Sequence, residues 1–96
     1  MRIKTHPGEV LREEFLTPLG ISLNKLSRDL DIPASRVSDI VNGKRDVTAD
    51  TALRLAAYFS TSAEFWLNLQ TAHTLSKVKA EKGEAILKMV RKLEGA

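Results

Sequence analysis

Between Ser22 and Arg45 the chain reads S-LNKLSRDL-DI-PASRVSDIV-NGKR, two short amphipathic helices separated by little more than Asp31 and Ile32. Ser22 is an N-cap type, because its hydroxyl accepts from backbone N–H groups left free at a helix start. Leu23, Leu26 and Leu30 recur at spacings of three and four, which is one face of a helix. Pro33 suits the first position of the second helix, where its missing N–H is not needed. Val37, Ile40 and Val41 mark the buried side of that helix, and Asn42-Gly43 ends it, since both residue types tolerate left-handed backbone. Helices joined by so short a link must cross steeply rather than lie antiparallel.

That is helix-turn-helix geometry, with the second helix free to enter a DNA major groove. The competing reading is two core helices of an ordinary α-domain. Against it, the outward positions of the second helix are Ala34, Ser35, Arg36, Ser38 and Asp39, short or hydrogen-bonding residues where a solvated helix usually carries long Glu and Lys. Asn42, Lys44 and Arg45, types that contact phosphate, follow at once.

The 96 residues allow one domain with one small core, a size often completed by self-association. With no cysteine there is no disulfide framework and no cysteine-based zinc site. The opening MRIKTHPGE has no apolar signal segment and no run approaches membrane-spanning length, so the expectation is a soluble cytoplasmic protein without a membrane partner. The net charge of +3 is unevenly placed. Residues 1–75 carry nine Lys/Arg and nine Asp/Glu, whereas residues 76–96 carry six Lys/Arg and three Glu. The basic excess therefore lies in the tail, and a nucleic-acid reading must rest on Arg36, Lys44, Arg45 and helix N-termini rather than on bulk charge.

Taken in order, His6-Pro7-Gly8 punctuates the start and Glu9 opens a helix to about Leu16, broken by Pro18 and Gly20. After the helix-turn-helix, Thr48 caps a helix with Ala52, Leu55, Ala56 and Phe59 on one stripe, and Ser62 caps another containing Phe65, Trp66, Leu67 and Leu69. The fold class is all-α, a five-helix domain over residues 1–75. Residues 76–96 form a basic amphipathic tail, with Ile86, Leu87, Val90 and Leu93 on one side of a short C-terminal helix. Such a helix is marginal alone and to persist must dock on its own domain, a second copy, a partner or a membrane surface; the alternative is a frayed, solvated tail.

Enzyme chemistry finds little support. His6 and His73 are far apart in sequence, there is no H-E-x-x-H and no glycine-rich phosphate loop, and adjacent Glu13 and Glu14 point to different sides of a helix. An adaptor working through the basic tail is a third class, but the tail's apolar side is narrow and lacks aromatic residues.

Three segments, HPGEVLREEFLTPLGIS, DIPASRVSDIVNGKR and TADTALRLAAYFSTSAEFWLNLQ, resemble the HigA-type antitoxins of bacterial toxin–antitoxin pairs, within the XRE (Cro- and phage-repressor-like) helix-turn-helix family. The resemblance covers about residues 5–72. It implies a lambda-repressor-like five-helix fold, a homodimer, binding to double-stranded operator DNA in the chain's own promoter, and neutralisation of a HigB-type mRNA-cleaving toxin. No cofactor and no small-molecule substrate are implied. Asp31 and Ser60 stand where the family often has glycine, and His73-Thr74 stands where an aromatic-acidic pair is common.

Aligned with the family, Ala34, Ser35 and Asp39 fall at base-reading positions, flanked by Arg36 and Ser38. Arg36 has the donor pair that grips guanine O6 and N7; its alternatives are a phosphate contact or a salt bridge to Asp39. Ser22, Asn24 and Lys25 on one side and Asn42, Lys44 and Arg45 on the other are the expected phosphate contacts. A twofold dimer reading half-sites about 34–36 Å apart would double those contacts. Phe65, Trp66 and Leu69 are the expected dimer interface, with monomer core as their alternative. The nearest competing function is a generic or phage-type repressor without a toxin.

Overall fold

The computed structural model describes residues 2–95; Met1 and Ala96, the outer ends of the two expected segments, lie outside it. Five helices follow one another and no strand occurs among the described residues. We label them α1 (7–19), α2 (Leu23–Leu30), α3 (Ala34–Val41), α4 (Ala49–Phe59) and α5 (Ala63–Met89).

The first helix is longer than its sequence suggested, at both ends. His6-Pro7-Gly8 is a start rather than a break: the His6 Nδ1 accepts from the Gly8 N–H at 2.8 Å, and Pro7 takes the first turn. At the other end Pro18 lies inside the helix. The segment Leu11–Leu16 widens to π geometry, and the Thr17 N–H bonds the carbonyl of Arg12. Widening opens room for a proline ring that would otherwise strike the carbonyl of the preceding turn.

Four helix ends share one device. Gly20, Asp31, Gly43 and Ser60 each take positive φ, and the next residue's N–H bonds a carbonyl five positions back: Ile21 to Leu16, Ile32 to Ser27, Lys44 to Asp39 and Thr61 to Ala56. This is the Schellman closure, and the two family glycine positions occupied by Asp31 and Ser60 keep it with side chains in left-handed backbone. Asn42 is not left-handed (φ −87°); Gly43 alone turns the chain there.

The core is one cluster. Leu11 and Leu16 of α1, Leu26 and Leu30 of α2, Val37, Ile40 and Val41 of α3, Ala52 and Leu55 of α4 and Trp66 of α5 are all buried, with Ile32 and Val47 from the links. Trp66 is 0% exposed, its Nε1–H donates to Thr61 Oγ1 at 2.9 Å, and its ring lies beside Phe15, Phe59 and Phe65. It is therefore monomer core and leaves the expected dimer interface, which keeps half-exposed Leu69 and Phe65.

The division expected at residues 75 and 76 falls inside α5, which runs unbroken through Ser76 to Met89. Of the short helix expected over 85–93, residues 85–89 are the end of that long one, whereas Val90 to Leu93 are not helical, so Val90 and Leu93 do not share its face. Val90 is its C-cap, with extended backbone. Ser76 explains the continuity: its hydroxyl donates to the His73 carbonyl at 2.9 Å and accepts from the Lys4 N–H at 2.8 Å, so a residue that read as a break is anchored in the fold.

Candidate nucleic-acid interface

Each helix start except that of α3 carries a side-chain cap. Ser22 accepts from the Lys25 N–H, Thr48 from the Thr51 N–H and Ser62 from the Phe65 N–H, as His6 does for α1. The N-cap of α3 is Pro33, one position earlier than its expected first-turn place, and it has no side chain to give. The first N–H groups of α3 are left without a cap at the end of a helix whose dipole is positive there.

Around that end, Ala34 and Ser35 are exposed, and Arg36, Ser38 and Asp39 are half-buried on the same outward side. Val37, Ile40 and Val41 hold the other side in the core. Arg36 makes no ion pair with Asp39; the ion pairs among the described residues are Arg12–Glu13, Lys25–Asp29 and Asp50–Arg54. Its guanidinium therefore has no carboxylate partner among the described residues. Ser38 accepts a long hydrogen bond from Asn42 Nδ2 at 3.4 Å, joining the last turn to the loop. The Asp39 backbone carbonyl receives the N–H groups of Lys44 and Arg45, which sets the path of the basic loop while both side chains stay exposed.

Ser22 and Asn42, expected on opposite flanks, line one open groove of about 490 Å³ together with Arg12. Arg12 was missed by sequence reasoning because its expected neighbours were Glu13 and Glu14; its 3.3 Å contact to Glu13 is exposed and weak. Asn24 is exposed. Lys25 is less free than expected: its Nζ lies 3.0 Å from Asp29 Oδ2, which also accepts from Tyr58 O–H at 2.7 Å. The Tyr58 hydroxyl and Lys25 hold the Asp29 carboxyl below its ordinary range, and Asp29 in turn raises Lys25 and Tyr58.

Several residues that position this face were invisible as functional in the sequence. Gly8 packs so tightly on α3 that a Cβ there would run into the carbonyl oxygen of Ile40. Gln70 is buried, and its Oε1 accepts from the Val47 N–H at 2.7 Å, pinning the loop after α3 to α5. Arg54 reaches across to the carbonyls of Leu30 and Asp31 at 2.7 and 3.2 Å, closing the turn between α2 and α3. The one clue was a polar residue at a core spacing, Gln70 four positions after Trp66.

His6 and His73, remote in sequence, meet edge to face with centroids 4.9 Å apart. His73 Nδ1 lies 2.7 Å from the Lys4 carbonyl, so that nitrogen carries the proton, and His6 Nε2 is buried without a partner. The pair locks the N-terminal segment to α5. Among the described residues no group of three or more His, Cys, Asp or Glu could hold a metal ion, and no helix is long and apolar enough to cross a membrane.

Known proteins place the arrangement. The Helix-turn-helix family (HTH_3) matches residues 11–66. Virulence-associated protein I of Dichelobacter nodosus is 49% identical over 77 residues, 80% of this chain and 71% of that protein. Antitoxin HigA-1 of Vibrio cholerae is 42% identical over 65 residues, 68% of this chain and 61% of that protein. Among solved structures, the Pseudomonas aeruginosa antitoxin HigA with the higBA promoter superposes with a TM-score of 0.89 at 45% identity, covering 93% of this chain and 97% of that one. The chain belongs to the XRE-type helix-turn-helix family, among its HigA-type antitoxins.

Proposed function

We propose that this protein is a sequence-specific DNA-binding antitoxin that represses its own operon as a homodimer and neutralises an mRNA-cleaving toxin of the HigB type. The observation that carries the DNA half is the uncapped N-terminal end of α3, ringed by small and hydrogen-bonding side chains and an unpaired Arg36. Structural relatives support it: one is HigA with its promoter, and another is the antitoxin GraA in complex with its operator, at 43% identity and a TM-score of 0.91.

In this reading Ala34, Ser35, Arg36, Ser38 and Asp39 face base edges. Arg36 donates two hydrogen bonds to a guanine, Ala34 lies against a thymine methyl, and Asp39 accepts from cytosine N4 while repelling misplaced phosphate. Ser22, Asn24, Lys25, Asn42, Lys44 and Arg45 contact phosphates, and Arg12 joins Ser22 and Asn42 in their groove. Lys25 must exchange Asp29 for phosphate, so its contribution is the weakest of the set. Phe65 and Leu69 contribute to the self-association that pairs two recognition helices on a palindrome.

The test is a gel shift on the DNA upstream of the gene. The wild-type chain retards that DNA selectively. Arg36→Ala loses about 1–3 kcal/mol of discrimination at one base pair, whereas Lys44→Ala weakens all sequences alike and lowers the salt slope by about one. Absence of selective retardation overturns the repressor half, and failure to co-purify with the product of the adjacent small gene overturns the antitoxin half, leaving a repressor without a toxin.

A further inference from the structure

The helix α2 carries two charges at the ends where its dipole disfavours them. Lys25 lies in the first turn, where the helix end is itself positive, and Asp29 lies in the last turn, where the end is negative. They pair across one turn, Lys25 Nζ to Asp29 Oδ2 at 3.0 Å, with the lysine on the N-terminal side, which is the weaker order for a helix pair. Helix stability therefore does not account for them. A group from another helix fixes the pair. Tyr58 of α4, whose ring lies edge to face on Phe59 with centroids 4.8 Å apart, donates its hydroxyl to the same Asp29 oxygen at 2.7 Å. Tyr58 holds the carboxylate in place, and the carboxylate holds the lysine.

Lys25 starts beside the proposed phosphate contacts and is drawn off them. Its backbone N–H bonds the Ser22 hydroxyl at 3.1 Å, and Ser22 lines the open groove with Arg12 and Asn42. The Lys25 side chain does not line that groove; it runs along α2 to Asp29. The other cations of this face are held differently. Lys44 and Arg45 make no ion pair among the described residues, and Arg12 touches only its neighbour Glu13, at 3.3 Å.

We infer that Asp29, fixed by Tyr58, is a positioning residue that withholds Lys25 from the DNA backbone and so keeps phosphate binding below what the cations of this face would allow. This role rests on the operator reading in the proposed function and deepens it. Asp29 need not touch the duplex, since it acts through Lys25. An ammonium on a flexible four-carbon stem can turn to a phosphate once released. Each added contact steepens the fall of log affinity with log salt by about 0.9. Binding to unrelated sequences depends on such contacts almost alone, so a withheld cation lowers that background while the base contacts of α3 are untouched. Removing Asp29 also takes away a negative charge, and the Lys25 variants separate the two effects.

The test is fluorescence anisotropy of the full chain on the DNA upstream of the gene and on a scrambled duplex, between about 50 and 200 mM salt. Asp29→Asn is expected to steepen the salt slope on both duplexes by about 0.9 per chain bound, an extra loss of about threefold in affinity across that range. Lys25→Ala is expected to leave the wild-type slope unchanged, unlike Lys44→Ala, and to abolish the gain when added to Asp29→Asn. Tyr58→Phe keeps the ring and lets the carboxylate turn away, so it should steepen the slope by a smaller step; should Asp29→Asn fail to fold, this variant decides. A merely structural role for Asp29 would lower stability and leave the slope alone. The inference is overturned if Lys25→Ala by itself lowers the slope by about one, if the Asp29 and Tyr58 variants leave it unchanged, or if the Asp29→Asn gain survives Lys25→Ala. Any of those results with selective binding by the wild-type chain removes this role alone; a wild-type chain that binds neither duplex removes the operator reading with it.

Discussion

From Ala63 to Ser76 the fifth helix lays Trp66, Gln70 and Ser76 into the body, while from Lys77 to Met89 the same helix buries nothing. Backbone geometry is continuous across the boundary, so the two halves differ only in what their side chains touch. The near half is held by an aromatic cluster, by the Gln70 amide on the Val47 N–H and by the Lys4–His73–Ser76 knot. The far half has the hydrogen bonds of a helix and none of the packing that makes helices persist in water. A regular helix is therefore not evidence of local stability. Tertiary contact supplies that, and here it stops near the middle of one element.

The contrast is broken or sharpened most strongly at its two ends. Trp66→Ala should destabilise the fold by about 3–5 kcal/mol, read by urea denaturation, whereas Leu87→Ala in the far half should stay within about 0.5 kcal/mol of wild type at concentrations where the chain is monomeric. Equal losses would mean that the far half is part of the body.

The helical glycines give the next test. Gly8→Ala sets a Cβ against the Ile40 carbonyl and should cost about 3 kcal/mol, since two backbones must part. Gly83→Ala meets only the Lys79 Cβ at 3.8 Å, an ordinary contact, and should gain about 0.5–1 kcal/mol of local helix stability. Amide hydrogen exchange would show that gain in residues 77–89 with the core unchanged.

Ser60→Gly should stabilise the body by about 0.5–1 kcal/mol, because Ser60 takes φ +58° in a closure that glycine makes without strain. A lower melting temperature would show that the serine side chain offsets its own backbone cost.

The smallest effect is the pH dependence of the near half. Burial, then the neighbouring His73, lowers the pKa of His6 from its ordinary 6.5, and its Nδ1 is occupied as an acceptor for the Gly8 N–H. The unfolded chain thus binds the proton more readily than the folded one. The His6 contribution is complete above pH 6.5 and is lost as the pH falls through the lower folded-state value. His6→Asn, which keeps a capping acceptor, should flatten the slope of melting temperature below pH 6.5. An unchanged slope would assign the dependence to other groups.

The helix-turn-helix was readable because its signals are local. Ser22 as cap, the leucine spacing and the stop at Gly43 each act within a few residues, and the structure has all of them. The first helix misled for the same reason: Pro18 is a breaker by local rules, and only the π-widened turn shows how it is accommodated. Trp66 could not be assigned between core and interface from sequence, since burial within a chain and burial between chains ask for the same residue. Arg12, Gly8, Gln70 and Arg54 were missed because their roles exist only across distances in the chain.

By itself the sequence determined the number and order of the helices of the body, the caps Ser22, Thr48 and Ser62, and which side of α3 faces outward, because these follow from residue-by-residue backbone preference and from the period at which apolar side chains recur. Tertiary structure alone decided that His6 meets His73, that Gly8 lies under the Ile40 carbonyl, and that α5 runs on past Ser76 into solvent. Those outcomes depend on which distant segments share one small core, and no local preference encodes them.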